Sequence, residues 1–464
     1  MHRLVALGRQ RPLIAGGIAA AALLVVGATI AIAVVASGGA SSAAPESTPI
    51  PTPPPYTAAP PAVTPTRTAT VPPSPVPTPS AHAAILNGVY MSEEEWEARK
   101  DLLPVAVMFD NTSASYPHSG LDRADVIYET FVEGGITRLM AVYWRQEADI
   151  LLPVRSARTP FVIWVDELGA LYGHAGSSHT TDDADAGGQL RDWQIKDLDA
   201  FDTVANRAYF RTDDRVAPYN LATSTARLRE AAAQKGYSGP PEVESWLFYG
   251  PDDARHAGAP AGGIEVDFSG RRVAWQLIHW KWDEGAHAYA RFMFGGPQED
   301  GVTGQQLKFT TVIVMRVPGY VANNRGHYLL NQYGEGDATI FSGGKAIEVT
   351  WRKADRKSRT RFYDAQGEEI KFERGPIFIE VIDLRSAFSF TGSAADLAPM
   401  PRFTPTPPQA PADEDLTPPP TPAPTNTALP PATPTPAPTA TPEVEPTATA
   451  IPAVSPTPLQ VSGD

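Results

Sequence analysis

Residues 104–110 read PVAVMFD and residues 139–144 read LMAVYW, two short apolar runs rich in β-formers. Runs of that length and composition predict strands. Between 159 and 172 apolar residues recur at helical spacing after a Ser-Ala-Arg turn, which predicts a helix, and a second helix is expected over 222–235. From Ile264 onward the pattern changes to repeated strand segments at 273–282, 288–294, 309–317, 339–341, 346–352, 360–363 and 377–382. Gly- and Asp-rich turns such as 364–367 punctuate them. The expected division is a mixed α/β domain over 83–250 and a mainly antiparallel β domain over 251–400.

The flanking segments cannot bury a core. Of the 48 prolines, 14 lie between Pro45 and Pro79 and 20 from Pro401 onward, whereas all nine tryptophans fall within 83–400. The net charge of −14 divides into +3 for residues 1–82, −12 for 83–400 and −5 for 401–464. An acidic core excludes non-specific nucleic-acid binding, which needs clustered Lys and Arg. Cysteine is absent, so there are no disulfides, zinc–thiolate sites, thiol nucleophiles or thioether-linked lipid, and the core alone must hold the fold.

Residues 13–36 are a run of Leu, Ile, Val, Ala and Gly interrupted only by the polar Thr29. At about 1.5 Å per residue such a helix crosses roughly 30 Å of hydrocarbon. Arg3, Arg9 and Arg11 precede the run and no charge follows it over 37–44, which places residues 1–12 in the cytoplasm and the rest outside. A cleaved secretory signal is the alternative, given the small Ala43 and Ala44, but the apolar run exceeds the usual length of about 7–15 residues. Within the linker over 37–82, the Thr/Pro stretch 45–79 favours extended polyproline II, and about 38 residues at about 3.1 Å each would reach roughly 120 Å. The tail over 401–464 repeats Thr-Pro without apolar period and reads as a disordered spacer.

Candidate chemistry clusters in the first half. Arg155 and Arg158 share one short turn before the expected helix, where backbone N–H groups and the helix dipole favour an anion. With Arg138, Arg211, Arg215 and Asn220 they are candidates to line a carboxylate or phosphate pocket, or else they pair with Asp125, Glu129 and Glu133. Asp110 and Asn111 end the first strand, where sites form in α/β layers, although such residues also cap turns. His174 with Ser177 or Ser178 suggests a Ser-His hydrolytic pair, but no Gly-x-Ser-x-Gly elbow is present, and a structural histidine beside a glycine turn is the other reading. His174, His179, Asp182, Asp183 and Asp185 faintly suggest a metal loop, yet the bidentate glutamate of a calcium loop is missing. No metal or other cofactor is expected. Trp275, Trp280, Trp282, Tyr289 and Phe292 offer either an exposed platform for sugars or peptide, or core.

Several long passages resemble the bacterial YerB-like proteins, known as domain of unknown function 3048. In the first half they are residues 104–144 (PVAVMFDNTSASYPHSGLDRADVIYETFVEGGITRLMAVYW), 153–158 (PVRSAR), 172–178 (YGHAGSS) and 217–228 (APYNLATSTARL). In the second half they are 325–353 (RGHYLLNQYGEGDATIFSGGKAIEVTWRK) and 360–381 (TRFYDAQGEEIKFERGPIFIEV), in the same order and spacing. The resemblance covers nearly all of 100–383 and implies an α/β layered sandwich followed by a smaller β-rich domain, usually exported and often lipid-anchored. Here the missing cysteine leaves residues 13–36 as the anchor. Tyr219 stands where the family more often has histidine.

Three functions follow as expectations. The first is an envelope-anchored, non-enzymatic module that binds an anionic ligand through Asp110, Asn111, Arg155, Arg158, Arg211, Arg215 and Asn220, with a cell-wall component or envelope protein as partner. The second is an extracytoplasmic hydrolase using His174 with Ser177 or Ser178. The third is a structural surface domain whose arginines are all paired internally.

Overall fold

The computed structural model describes residues 82–403. The anchor expected at 13–36, and nearly all of the linker and tail, lie outside them; among the described residues no helix is long and apolar enough to cross a membrane. In chain order the main elements begin with β1 (Val105–Asp110), β2 (Val126–Phe131), β3 (Thr137–Tyr143), α1 (Thr159–Leu168), β4 (Leu171–His174), α2 (Ala186–Asp192), β5 (Lys196–Asp199) and α3 (Thr225–Gln234). They continue with β6 (Gly263–Asp267), β7 (Leu277–Asp283), β8 (Ala288–Met293), β9 (Thr311–Arg316), β10 (Gly334–Ser342), β11 (Lys345–Lys353), β12 (Ile377–Ile382) and β13 (Ala387–Thr391).

Eleven strands build one mixed sheet, with the main order β11-β10-β9-β12-β2-β3-β1-β4-β5 and the short strands Ala259–Pro260 and Arg361–Tyr363 both paired to β11. Strands from both sides of residue 250 thus share this sheet. β9, β12 and β2 are mutually parallel, as are β1, β4 and β5, and β3 runs antiparallel between β2 and β1. The carboxyl ends of β12, β2, β1, β4 and β5 consequently open on one side, together with the start of β3. Every residue of β1, β2, β3 and β12 is buried, as expected of strands covered on both faces.

The β-rich second half adds an antiparallel sheet, β8-β7-β6-β13, extended by Gly296–Pro297 and Lys308–Phe309 on β8. It meets the central sheet through Trp280 of β7, whose ring lies 4.9 Å from that of Phe378 in β12. This is the mixed α/β architecture with a later antiparallel region that the sequence pattern implies.

Local chemistry sets the helix limits. α1 begins with Pro160 in its first turn and ends at Gly169, which adopts φ 57° as a left-handed cap. The helix expected to run to Tyr172 therefore stops at Leu168, and Leu171–His174 instead pairs with β1 and β5 as a strand. α3 starts after Ser224, whose side chain accepts from the Arg227 amide. It lies against β1, β4 and β5. A Cβ on Gly173 in β4 would meet Leu228 of α3 at 2.8 Å.

Candidate functional site

The PVRSAR segment crosses the open strand ends as an irregular extended stretch. The Arg155 amide donates to the Met108 carbonyl at 2.9 Å, while the Ala175 amide donates to the Arg155 carbonyl at 3.0 Å and the Ala157 amide to the Gly176 carbonyl at 2.9 Å. Wedged between the ends of β1 and β4, the segment aims its two arginines at carboxylates on neighbouring strands. Arg155 Nε donates to Asp110 Oδ2 at 2.7 Å. Arg158 grips Glu133, just beyond β2, through Nε at 2.8 Å and Nη2 at 2.5 Å. Arg138, at the start of β3, reaches the same Glu133 at 3.0 Å and the Ser156 carbonyl at 2.6 Å. The three arginines and Asp110 are each at most 6 % exposed.

Among the described residues, Arg138, Arg155 and Arg158 thus converge on Asp110 and the half-buried Glu133. Burial pushes the Glu133 carboxyl up, but Arg138 and Arg158 outweigh it and hold it well below the usual range. Asp110 behaves likewise: burial opposes ionisation, and Arg155 with the Thr112 hydroxyl overrides it. Arg138 is lowered to about 10, by burial first and then by the neighbouring Arg158. Arg155 lies 4.9 Å over the Tyr219 ring, which supplies a π-face to the cation. Beyond the bond from Nε to Asp110, the Arg155 side chain has no hydrogen bond to any described residue, and its terminal nitrogens keep contact with solvent.

The other arginines go elsewhere. Arg211 is exposed and donates to Asn220 at 2.6 Å, and Asn220 in turn donates to the Thr212 carbonyl. Arg215 ties down the loop after β1 through the Ser115 carbonyl at 2.8 Å and the Pro117 carbonyl. Asn111 donates at 2.8 Å both to Glu129 and to the Thr137 hydroxyl. Of the expected ligand residues, the geometry thus gathers Asp110, Arg155 and Arg158 with Arg138 and Glu133, and assigns Asn111, Arg211, Arg215 and Asn220 to local structure.

His174 ends β4 fully buried. Its Nδ1 lies 2.9 Å from the Gly176 carbonyl and its Nε2 lies 2.6 Å from Asp197 Oδ1. Both partners only accept, so both nitrogens carry protons. Burial disfavours the charge, but Asp197 and Asp199 outweigh it and raise the imidazole to about 9. A doubly protonated imidazole cannot take a proton from Ser177 or Ser178, and the pairing of His174 with those serines loses its chemical basis. Ser178 Oγ donates to the Ala184 carbonyl at 2.6 Å. Ser177 Oγ lies instead 3.3 Å from Nε2 of His179.

The acidic loop does not assemble a cation site. Among the described residues no group of three or more His, Asp or Glu draws close enough to hold a metal. Asp182 is engaged by Thr180 and Asn323. The aromatic platform is likewise divided, since Trp280 and Tyr289 are fully buried and bond to Glu380 and the Ala261 carbonyl, leaving Trp275 exposed.

One buried centre has no single motif behind it. Arg291 of β8 bonds Glu129 of β2 and lies 3.8 Å from Glu380 of β12, with all three fully buried. Burial and the adjacent Glu129 raise the Glu380 carboxyl well above the ordinary range, which favours its neutral form. The one sequence signal was a glutamate in the middle of each of two apolar runs, VIYETF and IFIEVI.

Family models cover the two halves separately. The N-terminal domain of the proteins of unknown function called DUF3048 matches residues 88–238, and the C-terminal domain matches 264–379. A protein from Bacillus subtilis (strain 168), named "Putative lipoprotein YerB", is 28% identical over 272 residues, spanning 59% of this chain and 78% of its own length. The crystal structure of the YerB protein from Bacillus subtilis superposes with a TM-score of 0.57 at 26% identity, covering 66% of this chain and 99% of that one. With both domains matched in order and the fold shared, this chain belongs to the DUF3048 family of proteins of unknown function.

Proposed function

We propose that this chain is a membrane-tethered, extracytoplasmic binding module whose ligand presents an anion, a carboxylate or a phosphate, to the outer edge of Arg155. The observation that carries the reading is Arg155 itself, which is only 6 % exposed, spends Nε on Asp110 and leaves its terminal nitrogens without a hydrogen bond to any described residue at the crossing of β1 and β4. Those terminal donors keep contact with solvent, where an incoming anion would make charge-assisted hydrogen bonds to them. The tether rests on the apolar run at 13–36 and agrees with the lipoprotein designation in the name of the Bacillus relative. A wall polymer or an envelope protein fits that location as the source of the anion.

The test is a thermal shift of the full chain in detergent, with inorganic phosphate or acetate titrated at constant ionic strength. Binding to the native state alone stabilises it, by about 2.7 kcal/mol when ligand reaches about 100 times Kd, and the midpoint rises with concentration. Arg155→Lys keeps a cation near Asp110 but loses the guanidinium fork, and the expected outcome is a concentration-dependent rise in the wild type that this variant lacks. No rise with either anion, together with a variant that simply melts earlier, would assign the arginines to structure.

A further inference from the structure

The loop leaving β4 returns on itself and brings together three side chains that the anion reading does not use. The Gly187 amide donates to the Ser178 carbonyl at 3.0 Å, and the Ser178 hydroxyl bonds the Ala184 carbonyl, so residues 178–187 close into a tight loop before α2. The closure sets Asp185 beside His179, with Oδ1 3.8 Å from Nδ1, while Nε2 on the opposite side of the same ring lies 3.3 Å from Ser177 Oγ. Asp185 Oδ1 is buried and has no hydrogen-bond partner. An orphaned acceptor of that kind is rare, and a movement of about 1 Å, well within the slack that catalytic contacts show without substrate, makes the bond from Nδ1–H. Gly187 is pressed against the pair: a Cβ there would lie 2.2 Å from His179 Cε1 and 2.9 Å from Ser177 Oγ.

We propose that Ser177 is a nucleophile and His179 its general base, with Asp185 as the residue that positions the imidazole, in an acyl-transfer site specific for small polar carboxylic esters or amides. With Nδ1–H turned to Asp185, the lone pair on Nε2 faces the serine hydroxyl, the tautomer that nucleophilic catalysis needs. Ser177 Oγ attacks the carbonyl carbon as its proton passes to Nε2. The same proton goes to the departing alcohol or amine when the C–O or C–N bond breaks. Water, losing a proton to Nε2, then attacks the acyl carbon and releases the acid, restoring the serine O–H.

The substrate class follows from the walls. Ser177 and His179 open on a cleft of about 330 Å³ walled by Arg191, Asp197, Asp199 and Lys235, a volume at the small end of about 300–1,000 Å³ for ligand sites and more polar than most. A second cleft of about 380 Å³, lined by Asp182, Asn323 and Arg325, begins on the other side of His179 and gives the leaving group an exit.

The experiment is covalent labelling of the full chain with a neutral fluorophosphonate, read by peptide mass spectrometry. The expected result is an adduct on Ser177, absent in Ser177→Ala, that forms faster as pH rises. His179→Ala should slow labelling at least about tenfold, because the base contributes factors of about 10²–10⁴ in such sites, and Asp185→Asn should slow it while shifting the pH midpoint. The His179 side chain is 78% exposed, so its removal leaves the core intact and an unchanged melting midpoint checks this. An adduct no faster on Ser177 than on other serines, or a rate indifferent to His179→Ala, overturns the proposal.

Discussion

At the scale of the residue, His174 shows how neighbours decide a role that spacing leaves open. Its charge is held by Asp197 and by a carbonyl, and a folded value of about 9 lies above the unfolded value near 6.5. The stabilisation is therefore complete below pH 6.5 and is lost as pH rises from there through 9, amounting to up to roughly 3 kcal/mol. Asp197→Asn should lower stability at pH 6 and flatten the decline between pH 7 and 9, as measured by urea unfolding at each pH; equal slopes in the two proteins would contradict the assignment. The closeness of Arg155 and Arg158 was legible in the sequence because a single short turn holds both. Of their partners, Glu133 was among the carboxylates expected to pair with them, whereas Asp110, 45 residues from Arg155 along the chain, was read as a strand-end residue and not as its counter-ion. The role of His179 was hidden for a related reason: only closure of the 178–187 loop turns it toward Ser177 and Asp185.

At the scale of the element, periodicity served best where strands are uniformly apolar. β12 falls on the residues expected of it, 377–382. β2 escaped notice because Glu129 and Thr130 interrupt its apolar run, although both are fully buried. The helix over-extended to Tyr172 illustrates the opposite error, for apolar spacing continues past Gly169 while the backbone does not. Beyond that glycine, β4 is narrow by necessity, because α3 rests directly on Gly173. Gly173→Val would drive two methyl groups into Leu228 and should cost about 2 kcal/mol, whereas Gly236→Ala, where a Cβ would meet nothing within 4 Å, should cost less and only through its positive φ of 75°. Chemical denaturation of the two variants side by side checks the contrast, and a Gly173→Val protein as stable as the wild type would mean that α3 can shift freely on the sheet.

At the scale of the whole molecule, the alternation of parallel and antiparallel strands was beyond reach of the sequence pattern, because nothing local states that β12 lies between β9 and β2. The buried Glu129–Arg291–Glu380 centre marks the place where the two sheets meet, and its protonation gives a test of the assembled fold. A carboxyl raised above its ordinary 4.5 stabilises fully below that value and progressively less as pH rises, because the unfolded chain gives up the proton that the folded one retains. Glu380→Gln, which keeps the shape of the neutral acid, should therefore gain on the wild type by up to about 1.4 kcal/mol per pH unit above 4.5, visible as diverging melting midpoints between pH 5 and 8. The placement of β12 also governs the order in which the chain is born. Until residue 382 leaves the ribosome, β2 and β9 each present a naked row of amides and carbonyls with no partner strand to receive them. The nascent protein thus stays incomplete for most of its synthesis, and a ribosome that stops short of 377 releases two half-sheets with adhesive margins in place of a shortened but working product.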